Sequence, residues 1–320
     1  MHNLRRFYYQ NKEKIWKIIL FIVFCFALLQ FANYLAKINN EKKRNQEALL
    51  NEQNKTNTSI TVKDTYVASN KSAVDGSEIS EEEISEVETL INKFVSHCNK
   101  GEIEDSYNLL SDECKKELYP SIEQFYNKYV KNNFPEGNKK ITRIENWKEN
   151  IYKIDMSEDV LKTGNINAKS IQDYITIVYQ KGENKLNINS LVDVKDIKKT
   201  VSEQGVEITV IDKKIYMDYE KYAFKIKNNT EKTILLDNLE STKTIYLIDE
   251  NGNKYYAYTH EIIEQLLKVN KDFNTQIDIK FYKKYDSKND IREIVFSNII
   301  LDYKDFSNEE TEKINFIISL

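Results

Sequence analysis

Residues 18–36 read IILFIVFCFALLQFANYLA, a run of nineteen residues with no charge between Lys17 and Lys37. At about 1.5 Å per residue, a helix of this length covers roughly 28 Å, close to the roughly 30 Å of a bilayer's hydrocarbon core. No other segment of the chain is as long and as apolar. The sequence therefore predicts one transmembrane helix over residues 18–36, in contact with the lipid bilayer, and everything after it is anchored by that helix.

The charges that flank this segment indicate its orientation. Residues 1–17 contain five Lys or Arg and one Glu, whereas residues 37–55 contain five basic and three acidic residues. A short basic N-terminus before a single apolar span is typical of a signal anchor, and no small-x-small cleavage pattern follows. We therefore expect residues 1–17 to be cytoplasmic and the C-terminal part to be extracytoplasmic, in a single-pass protein of the cell membrane.

The charge of the remaining chain argues against nucleic acid as a partner. The whole sequence carries a net charge of −4, and without the two basic segments residues 56–320 carry −10. Proteins that bind nucleic acids neutralise phosphates with Lys and Arg. The acidic region 56–320 is therefore unsuited to binding nucleic acid.

Residues 37–79 have no apolar period and are rich in Asn, Thr, Ser and Lys, which predicts a stalk or linker. A folded region begins at Ser80, an N-cap residue followed by three glutamates. Seven acidic residues between Asp75 and Glu88 could attract cations or a basic partner, although a solvated helix start also explains them. One apolar stripe at helical spacing follows, namely Ile84, Val87, Ile91, Phe94 and Cys98.

The first folded region, residues 80–198, changes its period after Pro135 and Gly137. Before them the sequence predicts a helix that ends at Gly101, a short helix after the capping residue Ser111 and a helix after Pro120. The stretch 103–110 lies between the first two. After them alternating apolar residues predict strands over residues 141–147, 150–156, 171–180 and 185–194. Helices followed by an antiparallel sheet indicate an α+β domain.

Residues 94–111 contain a helix end at Asn99-Lys100-Gly101 and then Tyr107-Asn108-Leu109-Leu110-Ser111. This stretch resembles the opening of the nuclear-transport-factor-two-like fold, although another α+β fold is compatible with the same elements. The resemblance implies that helices pack into the concave face of a curved sheet, forming a cone. That cone either holds a small apolar ligand or is filled by its own side chains, and we expect it to be filled by Trp147, Tyr152, Tyr174 and Tyr179.

The second folded region, residues 205–320, is predicted to be all-β. Its alternating segments lie at residues 206–210, 222–226, 245–247, 277–281 and 294–296. Residues 228–230 and 250–253 suit hairpin turns, and residues 261–269 predict a short helix between sheets. The segments AFKIKNNT (223–230) and LIDENGNKY (247–255) are similar to immunoglobulin-like domains of exported bacterial proteins, which implies a β-sandwich.

The sequence predicts no catalytic, cofactor-binding or metal-binding residues and no cofactor. Of the three histidines, His2 precedes the span, and His97 and His260 lie in different regions with no second ligand or base at a usable spacing. GxSxG, P-loop and GxGxxG motifs are absent from the sequence. Cys98 and Cys114 are expected as free core residues, with a disulfide as the alternative, and Cys25 lies in the span.

Asp249, Asn251 and Asn253 imitate the first ligands of a calcium loop. The match fails on spacing, because Gly252 is at the fourth loop position rather than the sixth, and His260 replaces the Glu at the twelfth. The sequence favours a hairpin turn there.

An anchor, a stalk, an α+β region and a β-sandwich without a catalytic motif predict a non-enzymatic binding or scaffold protein of the cell envelope, with envelope proteins as partners. The layout resembles the inner-membrane scaffold subunit of type IV secretion and conjugation systems, whose Gram-positive members end in a second transport-factor-like domain where this chain ends in a sandwich. The alternatives are a small-ligand sensor or carrier that uses the cone, and a cone-type isomerase or hydrolase. The latter requires a buried carboxylate that faces the cone.

Overall fold

The computed structural model describes residues 68–158, 170–236, 243–258, 262, 267–305 and 311–320. The predicted transmembrane segment 18–36 and the flanking residues 1–17 lie outside this part of the chain, as does most of the predicted stalk. Within the described residues, no helix has both the length and the apolar character needed to cross a membrane. The segment Tyr66–Leu320 forms one compact unit.

The first folded region begins with helices, as the sequence predicts. They are α1 (Glu81–Lys100), α2 (Ile103–Asn108), α3 (Asp112–Leu118), α4 (Ile122–Phe125), a π-helical turn (Tyr126–Val130) and α5 (Lys131–Asn133). The Ser80 side chain caps α1 by accepting a hydrogen bond from the Glu83 N–H, and Gly101 ends the helix in the left-handed conformation at φ 71°. The predicted stripe is buried along α1, which confirms its amphipathic character.

An antiparallel meander follows the helices. Its strands are β1 (Lys139–Lys148), β2 (Ile151–Glu158), β3 (Ile171–Gln180) and β4 (Glu183–Asn187), hydrogen-bonded in that order. The first three confirm the predicted strands. The prediction of a single strand over residues 185–194 is wrong, because Asn189 and Ser190 turn the chain at positive φ (59° and 61°). The residues after this turn form β5 (Leu191–Glu203).

The stretch before α1 is packed against the sheet, which differs from the predicted stalk over residues 68–79. Ser69 forms a parallel bridge with Glu145 of β1, and the Ala73 N–H donates to the Asn146 carbonyl at 2.9 Å. The buried Ser72 hydroxyl donates to the Trp147 carbonyl at 2.9 Å. An edge strand offers unpaired backbone groups, and these residues satisfy them. The folded unit therefore includes residues 68–79.

The second folded region consists of two antiparallel sheets. Its further strands are β6 (Val206–Tyr216), β7 (Glu220–Asn228), β8 (Ile234–Leu235), β9 (Ile245–Asp249), β10 (Lys254–Tyr256), β11 (Lys268–Val269), β12 (Phe273–Phe281), β13 (Ile291–Ile300) and β14 (Lys313–Ser319). One sheet has the order β12-β7-β6-β5, and the other has β10-β9-β13-β8-β11 with β14 paired to β13. The two share a core in which Phe224 meets Phe296 edge-on at 5.1 Å. This arrangement is sandwich-like, and strands make up 49% of the structure.

One predicted element of this region is different in the structure. A helix is expected over residues 261–269, but its last two residues form the short strand β11. There Lys268 and Val269 pair with Leu235 and Ile234 of β8. Val269 is fully buried, and a pairing between distant segments leaves no local period in the sequence. Most of the remaining residues of the predicted helix lie outside the described part of the chain.

Strand β5 connects the two regions without interruption. It runs from Leu191, in the core of the first region, through the predicted boundary after residue 198 and into the sheet of the second region. Beside it, Lys214 of β6 forms an ion pair at 2.8 Å with Glu117 of α3, and both side chains are 11% exposed. The two regions have separate cores but are joined by a shared strand and a largely buried ion pair.

Candidate functional site

The interior of the first region is filled, but not by the predicted residues. Of Trp147, Tyr152, Tyr174 and Tyr179, only Tyr152 belongs to this core. Trp147 and Tyr174 meet edge-on at 5.4 Å and pack against a smaller cluster around Ile215 and Met217, while Tyr179 is 76% exposed. The prediction of that set is wrong. Tyr174 lies on the opposite face of β3 from the core residue Ile175, and Tyr179 is exposed near the end of the strand.

Aromatic side chains of the helices fill the interior instead. They are Phe94, Tyr119, Phe125, Tyr129 and Phe134. Phe125 stacks on Tyr129 at 5.7 Å and meets Tyr119 edge-on at 5.4 Å. The sequence predicts Phe125 and Tyr129 on one helix, where a spacing of four residues places them on the same face. That this face points into the core follows from how the helix packs.

Asp173 is a buried carboxylate on the core face of β3, which the sequence analysis did not single out. Its oxygens accept hydrogen bonds from the N–H groups of Asn189 and Ser190, both at 3.0 Å, and from the Tyr129 hydroxyl at 3.4 Å. Burial raises the pKa of Asp173 to about 6, against the opposing effect of these hydrogen bonds. Asp173 is the carboxylate that a cone-type enzyme would require, but here it holds the turn between β4 and β5.

Asp173→Asn is expected to remove a pH dependence of stability. Because the pKa is higher in the folded than in the unfolded chain, this group stabilises the fold most below pH 4 and loses that contribution as the pH rises through about 6. Relative to the variant, the wild-type chain should lose up to about 3 kcal/mol of unfolding free energy between pH 4 and pH 7. Urea unfolding of both proteins across this range measures the difference.

Asp302→Asn is the control for that experiment. Hydrogen bonding and charge from Lys232 hold the pKa of Asp302 below its usual range, so its contribution is lost as the pH falls. The two variants should therefore change the pH profile with opposite signs. If the difference in unfolding free energy between wild type and Asp173→Asn did not change with pH, a raised pKa of Asp173 would be contradicted.

The cysteines lie in the first core as free thiols. Cys98 and Cys114 are both buried and unbonded, which confirms the expectation of core residues over the disulfide. Burial raises the pKa of each thiol to about 12. Both are therefore protonated and unreactive near neutral pH.

His97 has neighbours that the sequence spacing did not reveal. Its Nδ1 lies 2.5 Å from Oε2 of Glu102, and potential ligand atoms of His97, Glu102 and Asp105 lie within 4.8 Å of one another. The expectation that no second ligand or base stands near His97 is wrong, because the left-handed turn at Gly101 brings α2 back beside the end of α1. Glu102 and Asp105 are exposed, so His97 has two solvated carboxylate neighbours. His2 and His260 lie outside the described residues.

The hairpin at residues 250–253 confirms the interpretation of that segment. Asp249 ends β9, and its carboxylate accepts hydrogen bonds from the N–H groups of Asn251 and Asn253 and from the Tyr255 hydroxyl at 2.8 Å. Although burial opposes it, this hydrogen bonding holds the pKa of Asp249 well below its usual range. The carboxylate that would begin a calcium loop is used to close the turn.

The Asp249 carboxylate also accepts from the Asn289 side-chain amide at 2.7 Å, which fixes the loop between β12 and β13. This 282–290 loop is held further by the Tyr285 N–H, which donates to the Met217 carbonyl at 3.0 Å. Lys148 of β1 lies 3.9 Å from Asp286. The loop is thus attached to both folded regions.

Between this loop and strands β5 and β6 lies a cleft of about 140 Å³, here called the loop cleft. Its charged lining residues are Asp193, Lys195, Glu220, Lys283, Asp286 and Asp290. Val192 and Ile215, both largely buried, supply an apolar part, and Tyr285 and Ser287 complete it. Residues from β5, β6, β7 and the loop meet here, and no local sequence motif connects them.

A buried ion pair lies in the wall of the loop cleft. Lys283 Nζ is 2.8 Å from Glu220 Oε1, and the two side chains are 4% and 3% exposed. The Tyr222 hydroxyl donates to the second oxygen of Glu220 at 2.7 Å. Next to this pair, burial lowers the pKa of Lys213, whereas the negative charges of Glu220 and Asp290 act to raise it. The Glu220–Lys283 pair is therefore shielded from water much more than an ion pair on the protein surface.

Comparison with known proteins gives no relative for this arrangement. No protein-family profile matches the chain, and neither a curated protein nor a solved structure matches it.

Proposed function

We propose that the chain is a membrane-anchored, extracytoplasmic binding or scaffold protein of the cell envelope. Residues 18–36 would hold it in the bilayer, with residues 1–17 in the cytoplasm and the folded regions outside. In this proposal the first region is a transport-factor-like domain and the second an immunoglobulin-like sandwich. The layout would serve a secretion or conjugation assembly.

The observation that carries the proposal is the continuity of the folded unit. β5 belongs to both regions, and Lys214 and Glu117 are paired across the junction at 2.8 Å. A scaffold has to hold its contact surfaces at fixed positions, and a shared strand and a largely buried pair favour a fixed geometry over independently moving domains. The filled interior of the first region, packed around Phe125, favours structural over ligand-carrying use of the cone.

The orientation is tested with reporters fused after Leu320. We expect alkaline phosphatase to be active at this position and green fluorescent protein to be dark, because the former folds outside the cytoplasm and the latter inside. The reverse pattern would contradict an extracytoplasmic placement.

Binding of partners is tested by crosslinking cells and purifying the full chain beside a version that ends after residue 79. We expect envelope proteins to copurify with the full chain only, since the folded regions supply the contacts. Equal recovery by both versions, or a full chain without partners under gentle extraction, would contradict the scaffold function.

A further inference from the structure

We propose that the loop cleft binds a small zwitterion, a molecule of the size of a free amino acid that carries one ammonium and one carboxylate. This inference is independent of the membrane anchor and of the scaffold function. It rests on the size of the cleft, on a buried ammonium in its wall, and on exposed carboxylates at the mouth.

The volume limits the ligand. The loop cleft measures about 140 Å³. Pockets for drug-sized ligands measure roughly 300–1,000 Å³. The loop cleft therefore suits a molecule, or the end of a molecule, of few heavy atoms.

Lys283 supplies the contact for a carboxylate. Its ammonium has three N–H donors, and within the described part of the chain one hydrogen bond is formed, to Glu220 at 2.8 Å. The side chain is only 4% exposed, so the other donors have little access to bulk water. The ammonium also lies 6.0 Å from the centroid of the Tyr255 ring, a cation–π contact, and a carboxylate in the cleft would add a charge-assisted hydrogen bond to it. Lys195, half exposed on β5, adds a second positive charge.

The mouth of the loop cleft suits an ammonium. Asp193, Asp286 and Asp290 line it with side chains that are 41%, 52% and 74% exposed. Their lysine neighbours lie at 3.6, 3.9 and 4.0 Å, beyond a short charge-assisted hydrogen bond. These carboxylates can accept N–H donors from a ligand without breaking a close pair.

The positive and negative groups of the loop cleft differ in their exposure. The ammonium of Lys283 is buried in the wall, the carboxylates that line the cleft are more exposed, and Val192 and Ile215 offer apolar contact. A ligand with only one charge would leave either the lysine or the aspartates unused. Both ends of an amino acid find complementary groups at once.

The test measures binding to the full chain in detergent by isothermal titration calorimetry, with alanine, propionate and ethylamine as probes. Propionate lacks the ammonium of alanine, and ethylamine lacks its carboxylate. We expect alanine to bind at least about tenfold more tightly than either, since each of them lacks one of the charged groups that form charge-assisted hydrogen bonds in the cleft. Alanyl-alanine should bind more weakly because it exceeds the cleft.

Two variants assign the site. Asp290→Asn should weaken alanine about tenfold and leave propionate unchanged, whereas Lys195→Gln should weaken alanine and propionate alike. Lys198→Gln is the matched control, because Lys198 lies just beyond Lys195 on β5, is 71% exposed and does not line the cleft. Melting temperatures confirm that each variant folds. No binding of any probe, equal affinity for alanine and propionate, tighter binding of the dipeptide, or alanine binding unaffected by both cleft variants would overturn the proposal.

Discussion

Glu220→Ala is expected to lower the free energy of unfolding by about 3–5 kcal/mol, because it leaves a charge buried without its partner. Glu220 is 2% exposed, pairs with Lys283 at 2.8 Å and accepts the Tyr222 hydroxyl at 2.7 Å. Without the carboxylate, both donors lose the acceptor that they have in the interior. Urea unfolding at pH 7 measures the loss.

A matched control lies on the same strand. Lys221 pairs with Asp278 at 2.7 Å, but these side chains are 34% and 39% exposed. Lys221→Met should therefore change stability by no more than about 1 kcal/mol. If Glu220→Ala had an effect as small as Lys221→Met, the buried character of the Glu220 pair would be refuted.

The double variant Glu220→Leu with Lys283→Met separates the charge from the packing. Replacing a buried ion pair by apolar side chains of similar volume is often neutral or stabilising, by up to about 4 kcal/mol relative to the pair. We expect this variant to recover part of the stability lost in Glu220→Ala, because the unpaired buried charge is removed while the Tyr222 hydroxyl still lacks its acceptor. It should also abolish alanine binding in the loop cleft. The stability and the alanine affinity of this variant together indicate whether the pair contributes to stability or to ligand binding.

Phe125→Ala is expected to cost about 3–5 kcal/mol, because it opens a cavity in the filled interior of the first region. The Phe125 side chain is fully buried and its ring lies 6.3 Å from Phe94, 5.4 Å from Tyr119 and 5.7 Å from Tyr129. An apolar cavity of this kind stays dry and can accept benzene. Thermal unfolding with and without benzene should therefore show a loss that the ligand partly reverses.

Phe273→Ala is the control for this experiment. Phe273 begins β12 and is 56% exposed, so its truncation should alter stability by about 0.5 kcal/mol or less. A loss below about 1 kcal/mol in Phe125→Ala would mean that the interior is loosely packed, contrary to the ring distances. Such a result would favour the small-ligand carrier over the scaffold.

Much of the fold could be predicted because its determinants are local. Ser80, the apolar stripe that starts at Ile84, and Gly101 define helix α1 within about twenty residues of sequence. Alternation defines β3 over residues 171–180 in the same way. Turn chemistry placed the hairpin beside Asp249.

The candidate site could not be predicted because its residues are distant in sequence. Glu220 and Lys283 are separated by 63 positions, and neither belongs to a motif. His97 gained Glu102 as a neighbour only through the turn between two helices. The faces occupied by Tyr152 and Tyr174 depend on register and packing, which a list of aromatic residues does not contain.

The sequence by itself determined the apolar segment 18–36, the helical start of the folded part and the alternating strands after it, because periodicity and charge are properties of neighbouring residues. Only the tertiary structure decided that β5 pairs with β6 rather than β4, that the cone interior is filled around Phe125, and that the 282–290 loop closes over a charged cleft. These features result from the burial of side chains against partners far away in the chain, where the choice among many apolar strands depends on packing and hydrogen bonding of the whole unit.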